Sequence, residues 1–259
     1  MTAARQDLAG RLAWVTGGAT GIGRATARWL GRAGAIVAIS GRRVDELERT
    51  AAELRADGIT VEIAPMDVAD AAMVADAHAA LTGRRGPVSV LVCSAGTNVR
   101  ERHWSQLTPE GFAKVTAVNL NGVAHCVHAV LPGMRALGGG VIVVVSSLAG
   151  WTYANFTGAA YTASKSALGP LVEGLNDEEG RHGIRACHLC PGEVATPILK
   201  SRPVPPSDEE LARMLTPEDV ADTIGHVVTA PPHVCLAEVL LVPTWNRLYI
   251  GGEDLKRRP

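Results

Sequence analysis

Apolar and polar positions follow one another along this chain in two rhythms. Short, near-continuous apolar runs rich in β-branched residues occur at Leu12–Thr16, Ile36–Ile39, Thr60–Ile63 and Val88–Cys93. Each of the first three leads into a longer segment with helical spacing, at Arg24–Ala33, Val44–Ala56 and Ala71–Leu81. A run without alternation predicts a strand covered on both faces, and regular alternation with helices predicts a parallel sheet. Later strands are expected at Val141–Val145, Ile184–Leu189 and Val239–Val242, with helices between them. The fold class is therefore α/β, a mostly parallel sheet with helices on both faces. No linker, repeat or low-complexity segment interrupts the pattern, so residues 1–259 are read as a single domain.

Composition narrows the classes of function. A hydrophobic fraction of 47% and a charged fraction of 20% are those of a globular protein with a sizeable core. A formal charge of -1 with no basic block argues against a nucleic-acid partner. The first ten residues carry Arg5 and Asp7 but no apolar run, so no secretory signal is read there. The strongest apolar stretch, Val141–Val145, is far too short to cross a bilayer. Five scattered cysteines, an odd number, do not suggest a disulfide framework. A cytoplasmic setting is the expectation.

The first strand runs directly into Thr16-Gly17-Gly18-Ala19-Thr20-Gly21-Ile22-Gly23, which opens a helix. Glycines let the backbone turn tightly and approach a pyrophosphate, and a helix N-terminus offers free N–H groups and a favourable dipole. Many tight turns contain glycine, so it is the strand–loop–helix context that gives the motif weight. It predicts a Rossmann-type, doubly wound sheet and a dinucleotide-binding domain.

The spacing T-G-x-x-x-G-x-G resembles the short-chain dehydrogenase/reductase family, and the resemblance extends over essentially the whole chain. Asp67-Val68 matches the family's adenine-contacting pair, and Ser94-Ala95-Gly96 its N-A-G turn. Val118-Asn119-Leu120-Asn121-Gly122 matches the segment holding the catalytic asparagine, at Asn119. Ser146-Ser147, Tyr161-x-x-x-Lys165 and Pro191-Gly192-Glu193-Val194-Ala195-Thr196-Pro197 complete the ordered set, the last beside the nicotinamide. The resemblance implies cofactor contacts from Gly17, Ala19, Thr20, Gly21, Ile22, Gly23, Asp67, Val68, Ser94, Ala95, Gly96, Pro191, Gly192, Val194 and Thr196. Tyr161 and Lys165 would also touch the cofactor.

Tyr161 and Lys165 lie four apart in an expected helix and share a face. A phenol with pKa near 10 is a poor base at neutral pH, and a nearby ammonium favours the phenolate. The family resemblance implies that Lys165 acidifies Tyr161, which would give a proton to the alkoxide forming on a reduced carbonyl. One of Ser146 and Ser147 would stabilise the same oxygen, since neighbours on a strand face opposite sides. Alignment with the family on Gly150 selects Ser147. The resemblance also implies that Lys165 holds the nicotinamide ribose and that Asn119 positions a water relaying protons to it. The expected catalytic set is thus Asn119, Ser147, Tyr161 and Lys165.

Three departures from the family pattern stand out. Cys93-Ser94 replaces Asn-Asn, the segment from Ser147 to Tyr161 is about a residue longer than usual, and Pro170 interrupts the active-site helix. A proline there removes one backbone donor and predicts a kink beyond Lys165.

The end of the second strand reads Ser40-Gly41-Arg42-Arg43, with no carboxylate for a ribose 2′-hydroxyl. Arg42 and Arg43 suit a 2′-phosphate, so NADPH is favoured over NADH, although both could be solvated residues ahead of a helix. Cys187 and Cys190 read as a buried structural pair, and His125 and His128 as packing or contact residues. No metal site is expected. Glu193 and the proline-rich stretch from Arg202 through Pro203, Pro205 and Pro206 to Asp208 could face substrate or solvent. Trp151, Tyr153 and Phe156 could form a pocket wall or a contact between subunits.

The partner implied is a small carbonyl or alcohol substrate. A homo-oligomer, tetramer or dimer, is implied through helices around Asn119–Leu137 and Ala159–Arg181. A dinucleotide-sensing regulator would not need all four catalytic residues. A sugar-nucleotide epimerase or dehydratase usually needs a larger C-terminal portion than follows Thr196.

Overall fold

A computed structural model describes residues 6–202 and 204–246. Seven strands form one parallel sheet: β1 (Leu12–Thr16), β2 (Ile36–Gly41), β3 (Val61–Pro65), β4 (Val88–Cys93), β5 (Gly140–Val145), β6 (Ile184–Pro191) and β7 (Glu238–Leu241). Their order is β3-β2-β1-β4-β5-β6-β7, so the direction of winding reverses between β1 and β4. In such a sheet the loops at the carboxyl ends splay apart at the reversal and leave a crevice. Two apolar clusters, one on each face, bury β1, β4 and β5 completely. The alternation of strand and helix predicted from the sequence is therefore the fold observed.

Helices α1 (Gly21–Arg32), α2 (Val44–Ala56) and α3 (Ala71–Arg85) return the chain between the early strands. α1 starts three residues earlier than its apolar pattern, because Gly21 continues the glycine loop straight into helical turns. α4 (Pro109–Thr116) runs through a π-helical turn at Ala117–Asn121 into α5 (Gly122–Leu137). The wide turn, which no periodicity announced, carries Asn119 with its side chain fully buried.

A short helix, α6 (Leu148–Trp151), follows β5, with Ser147 as its N-cap accepting from Ala149 N at 3.1 Å. The expected kink is present as a break. α7 (Ala159–Ser166) ends at Ala167, and α8 (Leu168–Glu179) begins at once with Pro170 in its first turn. A proline is tolerated there because the first-turn donors have no intrahelical partner anyway. Tyr161 and Lys165 both lie on α7, upstream of the break.

α9 (Asp208–Ala212) is closed by a capping box between Ser207 and Glu210. α10 (Pro217–Thr229) has a second box, between Thr216 and Asp219, and packs on α1. At that crossing an added methyl on Gly225 would stand 2.2 Å from Trp29 Cζ2. Neither packed helix can withdraw freely, so Gly225→Ala is expected to destabilise by about 1–3 kcal/mol through overpacking. A urea titration against the unsubstituted protein measures it, and an unchanged midpoint would contradict this reading of the interface.

Candidate active site

The carboxyl ends of β1, β2 and β4 surround a cleft lined by Gly17, Ala19, Thr20, Arg42, Arg43, Asp67, Val68, Ala95 and Gly96. All nine are residues expected to hold a cofactor. Gly17 adopts φ +64, and a Cβ there would lie 2.9 Å from the Ala95 backbone. The loop is thus a backbone cradle in which a side chain at this position would clash. Gly21, at φ +52, faces the loop after β6, where its added Cβ would meet Thr196 Cγ2 at 3.1 Å. Gly23 lines neither cleft. It sits behind the loop, where a Cβ would meet Gly17 O at 2.3 Å, so its smallness sets how closely α1 packs under the turn.

Ser94 also stays behind the surface. Its N–H and that of Ala95 donate to Thr16 Oγ1 at 3.1 Å each. The bracing that Cys93-Ser94 put in question is therefore supplied from β1, and Cys93 is buried against Cys126. Arg42 pairs across the cleft with Asp67 at 3.7 Å, both side chains being partly exposed.

A second cleft is lined by Ile22, Ser147, Tyr161, Pro191, Gly192, Val194 and Thr196, which again were expected at the site. The loop carrying Val194 is held by Leu215, whose N–H donates to Glu193 O at 3.0 Å while Ala195 N donates to Leu215 O at 2.8 Å. Tyr161 and Ser147 line this cleft together, and the serine hydroxyl favours the ionised phenol. Ser146 points the other way, donating from Oγ to Lys165 O at 3.1 Å. The alternation along the strand end separates the two serines as expected.

Lys165 is buried, and its Nζ donates to Val145 O at 2.8 Å. Asn119 accepts from Thr97 N at 2.8 Å and donates to Thr97 O at 3.0 Å and Ser164 Oγ at 3.1 Å. The two side chains converge on Gly96, whose added Cβ would stand 3.6 Å from Asn119 Oδ1 and 3.7 Å from Lys165 Nζ. The four residues expected to act together are thus neighbours.

Their electrostatics differ from the expectation. Burial, the largest influence, raises the Tyr161 phenol above its ordinary pKa, while the Ser147 hydrogen bond and the charges of Arg102 and Arg202 pull it down. The lysine lies 5.9 Å from the ring centroid, and the cations acting on the phenol are the two arginines. Burial also lowers Lys165 to about 8.

Sequence reasoning missed Arg102 as a site residue and named Arg202 only as the start of a proline-rich stretch. Both line the second cleft, as does Glu193, which accepts from Arg202 Nη1 at 2.7 Å. Arg202 brings the beginning of that stretch to the cleft; Pro203 lies outside the described residues. Phe156 lines the cleft, whereas Trp151 and Tyr153 are exposed, so the aromatic cluster divides. Cys187 and Cys190 are both buried thiols. Cys190 also lies near His188 and Glu238, their possible ligand atoms being within 4.8 Å of one another. His125 Nδ1 contacts Val68 O at 2.9 Å. Among the described residues no helix is long and apolar enough to cross a membrane.

Sheet order, glycine cradle and the cluster around Tyr161 define a doubly wound α/β oxidoreductase. Residues 11–205 match the sequence model of the family described as short chain dehydrogenase, and the chain belongs to that family. Among its relatives is a glycine betaine reductase of Emericella nidulans, 34% identical over 246 residues covering 91% of this chain. The chain spans only 19% of that much longer protein. An uncharacterized oxidoreductase of Staphylococcus haemolyticus is 32% identical, covering 92% of this chain and 99% of its own.

Two solved structures are similar throughout. A metagenomic short-chain oxidoreductase in complex with NADP has TM-score 0.79 and 32% identity, covering 92% of this chain and 100% of that one. An alcohol dehydrogenase of the archaeon Thermococcus sibiricus, complexed with 5-hydroxy-NADP, has TM-score 0.82 and 30% identity, covering 92% and 98%.

Because the lowered pKa of Lys165 disfavours its charged form in the folded state, the unfolded chain binds more protons between about pH 8 and 10.5. Stability contributed by this group therefore rises with pH across that window. Lys165→Met should remove a rise on the order of 3 kcal/mol. Urea midpoints of the two proteins at both ends of the window test it, and parallel changes would contradict the assignment.

Proposed function

We propose that this chain is an NADPH-preferring oxidoreductase that interconverts a ketone and a secondary alcohol, with Tyr161 as general acid and base. The observation that carries this reading is the Tyr161 phenol, which lines the cleft together with Ser147 and stands one helical turn from Lys165. The NADP and 5-hydroxy-NADP complexes of the two similar structures support the choice of cofactor. So does the fit of the residues present: a side-chain-free cradle at Gly17 and two arginines at the far end of the same cleft.

When bound, the nicotinamide supplies or accepts the hydride. Tyr161 gives its hydroxyl proton to the carbonyl oxygen as negative charge develops there. Ser147 donates a hydrogen bond to that oxygen, which matters most at the transition state, where the charge is largest. Burial keeps the phenol protonated at neutral pH, which suits reduction. Lys165 holds the cofactor ribose, and the Asn119 amide, fixed by Thr97 and Ser164, anchors the route by which the proton is replaced. Arg42 and Arg43 receive the 2′-phosphate; the weak exposed pair between Arg42 and Asp67 gives way easily.

Tyr161→Phe is expected to lower kcat for ketone reduction by about 10²–10⁴-fold with little change in NADPH binding by fluorescence titration. Because oxidation needs the phenolate, the wild-type rate of alcohol oxidation should rise with pH, a dependence the variant lacks. Near-normal turnover of Tyr161→Phe would sink the assignment, and a wild-type protein that bound NADPH without turning over any ketone would be a sensor instead.

Replacing both arginines (Arg42→Ala with Arg43→Ala) should raise KM for NADPH about tenfold or more while leaving that for NADH nearly unchanged. Equal effects on both cofactors would rule out a 2′-phosphate site.

A further inference from the structure

Among the described residues, the charges lining the second cleft do not balance. Arg102 and Arg202 are its cations and Glu193 its acid. Arg202 is committed to Glu193 through Nη1 at 2.7 Å, and its guanidinium lies over the Phe156 ring, 5.3 Å from the centroid. Arg102 is 7% exposed, yet among the described residues no carboxylate pairs with it. Its Nε donates to Val99 O at 3.0 Å and its Nη1 to Phe156 O at 3.1 Å. Those two bonds fix the plane of the guanidinium. The rest of its five donors find no acceptor among the described residues.

A guanidinium does not shed its proton to escape burial. Burial lowers the pKa of Arg102, and the like charge of Arg202 adds to that effect. An ion held without a counter-ion, beside a second cation, is costly in the free protein. That arrangement is relieved when a ligand brings the missing charge. Two cations and one acid leave one positive charge in excess, which matches a carboxylate better than a phosphate monoester near −2.

Resting on the reading of Tyr161 as proton donor, we infer that the substrate is an oxo acid, reduced to a hydroxy acid, whose carboxylate is held between Arg102 and Arg202. Its ketone oxygen meets Tyr161 and Ser147. Hydride adds to the carbonyl carbon, the Tyr161 proton goes to the oxygen, NADPH becomes NADP⁺, and the carboxylate is unchanged. Arg102, Arg202 and Tyr161 line the same cleft, so one small molecule can reach all three groups. A carboxylate between them cancels part of their pull on the phenol and so keeps the proton on Tyr161 for delivery. The chain joining ketone and carboxylate would run along the apolar lining at Ile22, Ala154 and Leu199.

The test compares levulinate with levulinamide, and the next longer homologues likewise, as substrates of the NADPH-loaded enzyme. In each pair the acid should exceed its neutral partner in kcat/KM by about 30-fold or more for at least one chain length. Arg102→Gln and Arg202→Gln should each reduce that ratio about tenfold or more, whereas Glu193→Gln, which frees Arg202, should increase it. Arg100→Gln, an exposed position two residues from Arg102, should leave the ratio unchanged.

If Arg102→Gln fails to fold, the opposite signs at Arg202 and Glu193 decide, because loss of packing alone would not produce them. Turnover with no preference for the acids would overturn the inference and leave the reductase reading intact. Absence of turnover with every pair would overturn the reductase reading. The anion site is then decided by melting the NADPH-loaded protein with pentanoate or pentanamide, where a larger shift with pentanoate supports it and equal shifts overturn it.

Discussion

The candidate site depends on a lysine kept out of water. The Lys165 ammonium can be buried at the end of β5 because the carbonyl of Val145, the last residue of the strand, accepts from it at 2.8 Å. That contact fixes α7 against the sheet and, one turn earlier, sets the place of Tyr161. It also dictates the packing nearby. A Cβ on Gly150 would stand 2.7 Å from Lys165 O and 2.5 Å from Ser146 Oγ, so the short helix after β5 must carry glycine where it crosses α7. Desolvation is the common physical cause: it brings Lys165 to about 8 and raises the phenol of Tyr161.

Around this centre the fold divides the labour between faces and ends of the sheet. The central strands are buried on both sides, so their sequence is constrained by packing, while the residues lining the two clefts lie at the carboxyl ends and in the loops and helical turns beyond them. Asn119 belongs to a π-helical turn, which widens the helix enough for its amide to reach the Thr97 backbone. π-turns are rare and recur at functional sites because they displace a side chain that an α-helix would aim elsewhere. On the substrate side, charge replaces packing as the organising influence. Phe156 connects the two arginines, its carbonyl accepting from Arg102 and its ring lying under Arg202.

Much of this was legible before any coordinates. Strand positions at Leu12–Thr16 and Val88–Cys93 agree to the residue, because a buried parallel strand has no freedom to vary its pattern. The glycine loop could be read because close backbone approach leaves glycine alone as an option at Gly17 and Gly23. The pair at Tyr161 and Lys165 needed the pitch of a helix together with the phosphate loop upstream. The acidifying role assigned to the lysine was a different matter, since spacing says which side chains share a face and nothing about which charge is nearest the hydroxyl.

By itself, then, the sequence determined the layered sheet and the location of the crevice through local periodicity and motif spacing, and named the four clustered residues through the ordered motifs of a family resemblance. Tertiary structure alone decided the charge of the second cleft. Arg102 lies in a loop without periodicity, Arg202 opens a proline-rich stretch, and Glu193 follows a strand. No spacing rule relates three residues brought together by three separate chain segments. Their sum, one cation more than the acids can neutralise, exists only once those segments are folded against the same few ångströms of space.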